Sequence, residues 1–192
     1  NASNDGVYEW LSEQDDILLH RNDENLGFGI ACNQGVQLAR ENGLDDYDIF
    51  LLNNDTRLAM NALFWLRMGL YEDNSVGAAG SISNYAGNEQ QIEIEFTMPG
   101  DYLEYGKKNN IPMKHPYEER VRLSGFAMLV RGELWEKTTG MDPVFSPGYF
   151  EDDDLCMKIK ELGYSLVLCK NSFIYHAGSQ SFGKVEGINE LL

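Results

Sequence analysis

Three cysteines, Cys32, Cys156 and Cys169, are all that this chain of 192 residues carries, an odd number at long spacings with no CxxC pair. That argues against a disulfide framework or a zinc ribbon, fits a reducing compartment, and leaves the thiols as small core residues. Basic residues are also scarce: 15 Lys and Arg stand against 31 Asp and Glu, for a net charge of −16. Nucleic-acid phosphates reward Lys and Arg, so no nucleic-acid partner is expected. A small phosphorylated ligand stays compatible if a cation such as a divalent metal mediates. No stretch approaches the ~20 apolar residues that a membrane span needs, so no transmembrane segment is expected. Repeats and low-complexity runs are absent too.

What remains is ordinary for a globular domain, with 43 % apolar and 24 % charged residues. The length suits one domain, residues 1–192, around a sizeable core. A short helix is expected over Val7–Gln14 and a short strand over Ile17–Leu19. "NLGFGIACNQGVQLARENG" reads as a glycine-rich turn, then a helix with Gly43 as its stop. "YDIFLLNND" is a buried strand running into a polar loop, a helix covers Asn61–Glu72, and "VGAAGSIS" is a second buried strand. Residues 84–119 hold three of the five prolines and break the alternation. They read as a variable excursion or flexible loop, with a hairpin at Ile92–Phe96. "VRLSGFAMLVRGELWEKTTG" restores a strand and a short helix ended by Gly140. An acidic helix ended by Gly163 follows, then strands over Leu166–Cys169 and Phe173–Tyr175. The alternation predicts an α/β domain, a mainly parallel sheet flanked by helices.

Four places carry chemistry-bearing residues. "LLNNDT" ends a buried strand in Asn53, Asn54 and Asp55, at the end of an α/β sheet where ligands gather. An acid preceded by amides suits a hard cation that keeps some waters; a turn with an Asx cap explains the same residues equally well. In "GYFEDDDLCMKI" four carboxylates, Glu151 to Asp154, follow two aromatics at a helix start. The helix dipole rewards one or two such acids by roughly 0.3–1 kcal/mol each, which leaves two unexplained. Partial burial behind Tyr149 and Phe150, with like charges adjacent, would raise a carboxyl pKa and suit a general base. His176, just past a strand, is a candidate ligand for a Mn2+ or Mg2+ ion, although a lone His is more often structural. "NLGFGIACNQG" lacks the third glycine of a dinucleotide fingerprint, because Cys32 stands there, but its backbone could still approach a phosphate.

In order along the chain, these segments resemble a family 2 glycosyltransferase of the GT-A fold, in its rhamnosyltransferase-like branch. "NASNDG" is similar to the end of the family's first nucleotide-binding segment. "NLGFGIACNQG" is similar to its Asn-x-Gly-Phe element, and "LLNNDT" sits where the family carries Asp-x-Asp. "LSGFAMLVRGELWEKTTGMDPVFSPGYFEDDDLCMKI" resembles the acceptor-side segment, and "YHAGSQS" the late His motif. The resemblance implies an inverting transfer of a sugar from a nucleotide-diphosphate donor to a saccharide or lipid-linked saccharide in polysaccharide assembly. Asp152 would be the catalytic base, supported by Glu151. Asn33, Asn53, Asn54 and Asp55 would lie at the donor. Ser124, Gly125, Phe150 and Asp153 would lie at the acceptor. Asp55 and His176 would hold a divalent metal, Mn2+ or Mg2+.

Two departures from the family accompany the likeness. The metal motif has one carboxylate where the family has two. The chain also starts inside the first motif, so a chain shortened at its N-terminus is expected, with an open sheet edge that could pair two copies. An inactive fragment, and less so a metal-dependent phosphohydrolase, remain alternatives to the transferase. A cytoplasmic location is expected, with peripheral attachment at the inner face of the membrane left open.

Overall fold

The computed structural model describes residues 1–98 and 100–178. Pro99, and the late His motif from Ser179 onward, lie outside the described residues. After the short helix α1 (Val7–Ser12), α2 (Phe28–Glu41) starts where Gly27 turns the chain at φ +87°. Any Cβ at Gly27 would collide with the Pro147 backbone, so glycine is required there for space as well as conformation. Strands β1 (Ile49–Leu52) and β2 (Thr56–Leu58) are separated only by the Asn53–Asp55 turn. Helix α3 (Ala62–Leu70) and strand β3 (Val76–Ile82) follow, then α4 (Asp101–Asn109), β4 (Tyr117–Arg120) and β5 (Ala127–Val130). The last described elements are α5 (Gly132–Lys137), a 3-10 turn (Pro143–Phe145), α6 (Glu151–Glu161) and β6 (Ser165–His176).

The strands form one sheet in the order β1-β5-β3-β6-β2, with β4 also on β6. Strand β6 is the keel: β3 pairs along one side, while β4 takes its first half and β2 its last three residues on the other. Helices cover both faces. Along β5, Met128 and Val130 face the cluster made with α5 and α6, while Ala127 and Leu129 face the cluster under α3, as alternation along a strand demands. Leu66, Leu134, Leu155 and Ile159 are fully buried at these two interfaces, each contributing roughly 1.5–3 kcal/mol of transfer free energy.

Several expectations change. The sheet is not mainly parallel: β3–β6 is its parallel pair, while β1–β5, β3–β5, β4–β6 and β2–β6 are antiparallel. The reason lies in the excursion, which leaves the carboxyl end of β3 and brings the chain back in at that same end, so β5 runs between β1 and β3 in reverse. No strand forms at Ile17–Leu19, where Ile17 and Leu18 are exposed. Residues 92–96 form no hairpin; the nearby pairing is one bridge, Ser83 to Gln91. Residues 84–119 instead hold α4 and the start of β4, and Phe96, Tyr102 and Tyr105 pack on Phe173 and Tyr175. The two expected late strands are one continuous β6 with an irregularity opposite Ser81–Ile82.

Candidate active site

The polar ends of β1, β5 and β6 meet at one place. Asp55, in the turn after β1, lies with Oδ1 3.0 Å from His176 Nε2 at the end of β6. The other ring nitrogen, Nδ1, is 2.8 Å from the Tyr85 carbonyl. A carbonyl can only accept, so Nδ1 carries hydrogen. Two states satisfy this geometry. Either an imidazolium donates on both sides, or a neutral ring turns its Nε2 lone pair to the Asp55 oxygen and the two share a cation. The carbonyl behind the ring is the support that orients a metal-ligating imidazole. Asn53 Nδ2 lies 3.4 Å from the same Nε2. Among the described residues, no three His, Cys, Asp or Glu side chains cluster to enclose a metal. The chain therefore offers one carboxylate and one imidazole, a donor set that fits a hard divalent ion completed by oxygens from elsewhere.

The ring of His176 is held on all sides. It stacks on Phe126, centroids 5.0 Å apart and planes within 12°, and meets Tyr85 edge-on at 5.7 Å. The backbone of His176 is clasped by Asn84, whose Nδ2 donates to its carbonyl at 2.9 Å and whose Oδ1 accepts from its amide at 3.0 Å. Phe126 also ties in β1, since its carbonyl accepts from the Asn53 amide at 2.8 Å.

The residue before Phe126 reaches the acidic helix. The Gly125 amide donates to Asp152 Oδ2 at 2.8 Å, and the Asp153 amide donates to Asp152 Oδ1 at 2.9 Å. Burial holds the Asp152 carboxyl above its ordinary range, against the opposing pull of the Gly125 amide. Asp152 is thus joined to His176 and Asp55 through two consecutive residues, Gly125 and Phe126. A side chain at Gly125 would put its Cβ 3.3 Å from Asp152 Cβ and 3.4 Å from Phe28 Cε1.

The run of four acids resolves into four different settings. Tyr149 and Phe150 both take left-handed backbone angles, φ +75° and +72°, and so drive the chain sharply into α6. Glu151 turns inward against Gly29, and burial pushes its carboxyl up to about 7. Its Oε2 is buried and without a hydrogen-bond partner among the described residues. Asp152 faces Gly125. Asp153 accepts from Asn88 Nδ2 at 3.0 Å and pairs with Arg122 at 2.7 Å. Asp154 pairs with Lys158 one turn along its own helix, at 2.7 Å.

The other sequence candidates fall as follows. The Ser124 amide donates to Gln90 Oε1 at 2.6 Å, beside Gly125. Phe150 is exposed at the head of α6, and Asn54 is exposed in the turn between β1 and β2. Asn33 is employed elsewhere: its amide brackets Met141, donating to the carbonyl at 2.7 Å and accepting from the amide at 3.0 Å. It lines a groove of about 360 Å3 between α2 and α5 that shares no residue with the Asp55–His176 pair. Sequence reasoning missed Asn84, Tyr85, Asn88 and Gln90, which hold His176, Asp153 and Ser124. The signal was available, since "SNYAGNEQQ" is a polar run at the carboxyl end of β3. The cysteines are free, with Cys156 and Cys169 buried in the core. No helix among the described residues is long and apolar enough to cross a membrane.

Comparison with solved structures places this geometry in context. The fold is similar to that of GalNAc-T7, determined in a crystal with UDP, GalNAc and Mn2+. The likeness has a TM-score of 0.63 at 14 % identity, and covers 90 % of this chain but 34 % of the other. The chain thus spans about a third of that protein's length. No family model and no curated protein sequence matches the chain. At that identity the likeness carries the fold: mixed α/β, similar to a GT-A glycosyltransferase fold.

Proposed function

We propose that the chain transfers a sugar from a nucleotide-diphosphate donor to an acceptor hydroxyl, with inversion at the anomeric carbon. The observation that carries the reading is the continuous link from the Asp55–His176 pair through Phe126 and Gly125 to Asp152. The fold likeness to a protein crystallised with UDP, GalNAc and Mn2+ supports it, as do the segments that resemble family 2 motifs. Asp55 and His176 would hold a divalent cation. Such a cation supplies positive charge against the diphosphate that departs.

Asp152 would act on the acceptor. Both its oxygens are aligned by backbone amides, and its burial makes it a stronger base than an exposed carboxylate. It would take the hydroxyl proton as the acceptor oxygen bonds to the anomeric carbon, while the bond to the diphosphate breaks and its electron pair leaves with the phosphate. Asp153, neutralised by Arg122, would border the acceptor alongside Ser124 and Phe150. Saccharide or lipid-linked saccharide acceptors in polysaccharide assembly fit this reading.

Calorimetry with UDP, with and without Mn2+, tests the donor half; a nucleoside-diphosphate release assay over a panel of sugars and acceptors tests the other. Asp152→Asn is expected to retain UDP binding and lose turnover by about 100- to 10,000-fold. Near-normal turnover of Asp152→Asn, or no binding of any nucleoside diphosphate with Mn2+ at millimolar concentration, would overturn the assignment.

A further inference from the structure

We infer that the outer face of α3, with the adjoining end of α4, is a docking surface for an anionic lipid bilayer. The inference starts from charge. The chain carries 31 acids in 192 residues, about one in six. Yet Thr56–Tyr71 and Tyr105–Tyr117, 29 residues together, contain none where about five would be expected.

These two acid-free segments meet in space. Gly106 packs on Ala59 so closely that a Cβ there would overlap it. Asn110 Nδ2 donates to the Met60 carbonyl at 3.0 Å, and Asn61 Nδ2 donates back to the Asn110 carbonyl at 3.4 Å. They therefore form one continuous surface.

That surface is apolar as well as free of acids. Helix α3 buries Ala62, Leu66 and Leu70 in the core, which accounts for one face. Its opposite face carries Phe64 and Met68, with Leu63 on the flank, all exposed, Phe64 at 55 %. Met60 and Ile111 extend the patch at 60 % and 47 % exposure. No described part of the chain covers it.

Of the cations around it Lys107 pairs with Glu104 at 2.8 Å, while four others make no ion pair among the described residues. Elsewhere basic side chains meet acids, as in Arg40–Glu136, Arg120–Glu89, Arg122–Asp153 and Lys158–Asp154. Arg57, Arg67, Lys108 and Lys114 have no carboxylate partner among the described residues. Four uncompensated cations beside exposed Phe, Met, Leu and Ile side chains, in a chain of net charge −16, match an interfacial lipid surface. A second copy docking by the same face would bring these cations against their own images, which disfavours isologous pairing. Arg57 stands two residues, roughly 7 Å of strand, beyond Asp55. Docking would thus bring the candidate site to the bilayer surface. The inference rests on the surface alone and stands or falls independently of the transferase reading.

Sedimentation of the 192-residue chain with vesicles tests it. Binding is expected to phosphatidylcholine vesicles containing about one third phosphatidylglycerol, not to phosphatidylcholine alone, and to be lost in about 0.5 M salt. Each surface cation contributes about fivefold, so Lys108→Glu with Lys114→Glu should lower partitioning by at least about 25-fold. Phe64→Ser should weaken it with all the cations intact. Unchanged circular dichroism and melting temperature would report retained folding. Three results would overturn the inference: no vesicle binding, equal binding to both lipid mixtures, or partitioning unmoved by either variant. Sedimentation velocity showing a dimer that Phe64→Ser dissociates would also overturn it, and assign the face to a second copy.

Discussion

Glu151 offers the sharpest test of the geometry around α6. Its carboxyl is buried against α2, Oε2 lacks a hydrogen-bond partner among the described residues, and its pKa rises from 4.5 to about 7. A raised pKa in an acid means that the folded state holds the proton more tightly than the unfolded chain. The associated stability is present in full below pH 4.5 and drains away as pH rises through about 7. Moving a carboxyl over that interval corresponds to at most about 3.4 kcal/mol, and solvent screening brings the expected loss to about 2 kcal/mol. Glu151→Gln keeps the shape and removes the titration. Urea unfolding at pH 5 and pH 8 should show the wild type losing about 2 kcal/mol between them. The variant should lose clearly less, Asp152 keeping its own share of the pH dependence, and be the more stable of the two at pH 8. A variant less stable than wild type at pH 8 would mean that the ionised carboxylate has a favourable partner, and the reasoning from burial would fail.

Two further outcomes follow from contacts in the same region. Asn33→Ala strips both backbone partners from Met141; a loss of about 2 kcal/mol is expected in urea unfolding, and a change below about 0.5 kcal/mol would mean water replaces the amide without penalty. Gly125→Ala inserts a methyl 3.3 Å from Asp152 Cβ. Diphosphate release should fall by up to about 100-fold with little change in melting temperature, because a misplacement near 1 Å is enough.

Much of the fold was legible from residue patterns. Ile49–Leu52 and Val76–Ile82 stood out as apolar runs ended by polar turns, and Gly163, with φ +87°, stops α6 as its position suggested. Strand direction was not legible. Alternating strands and helices imply parallel neighbours only when every crossover returns the chain to the end where the previous strand began, and the excursion before β5 does not. Helix α4 hid inside that excursion even though Asp101 and Glu104 at its start and Lys107 and Lys108 at its end suit a helix dipole. Its face toward the core is built from aromatics, Tyr102 and Tyr105, that match Phe173 and Tyr175 from distant chain; nothing local announces such a partnership. At the site, Asp55, Asp152 and His176 were readable as chemical types near element ends. Their supports were legible only as a place, the polar run after β3, because Asn84, Tyr85 and Phe126 act through a clasp, a carbonyl and a ring face, none of which leaves a spacing pattern.

The pair Gly125–Phe126 sits where two requirements cross. One residue gives its amide to the carboxylate on α6; the next lends its ring to the imidazole ending β6 and its carbonyl to the turn after β1. Any shift of this single dipeptide therefore moves Asp152, the proposed proton acceptor, and the proposed cation pair of Asp55 and His176 in concert. Mutational damage here should be felt by both halves of the proposed chemistry at once, as a lost alignment between them, with neither half failing alone.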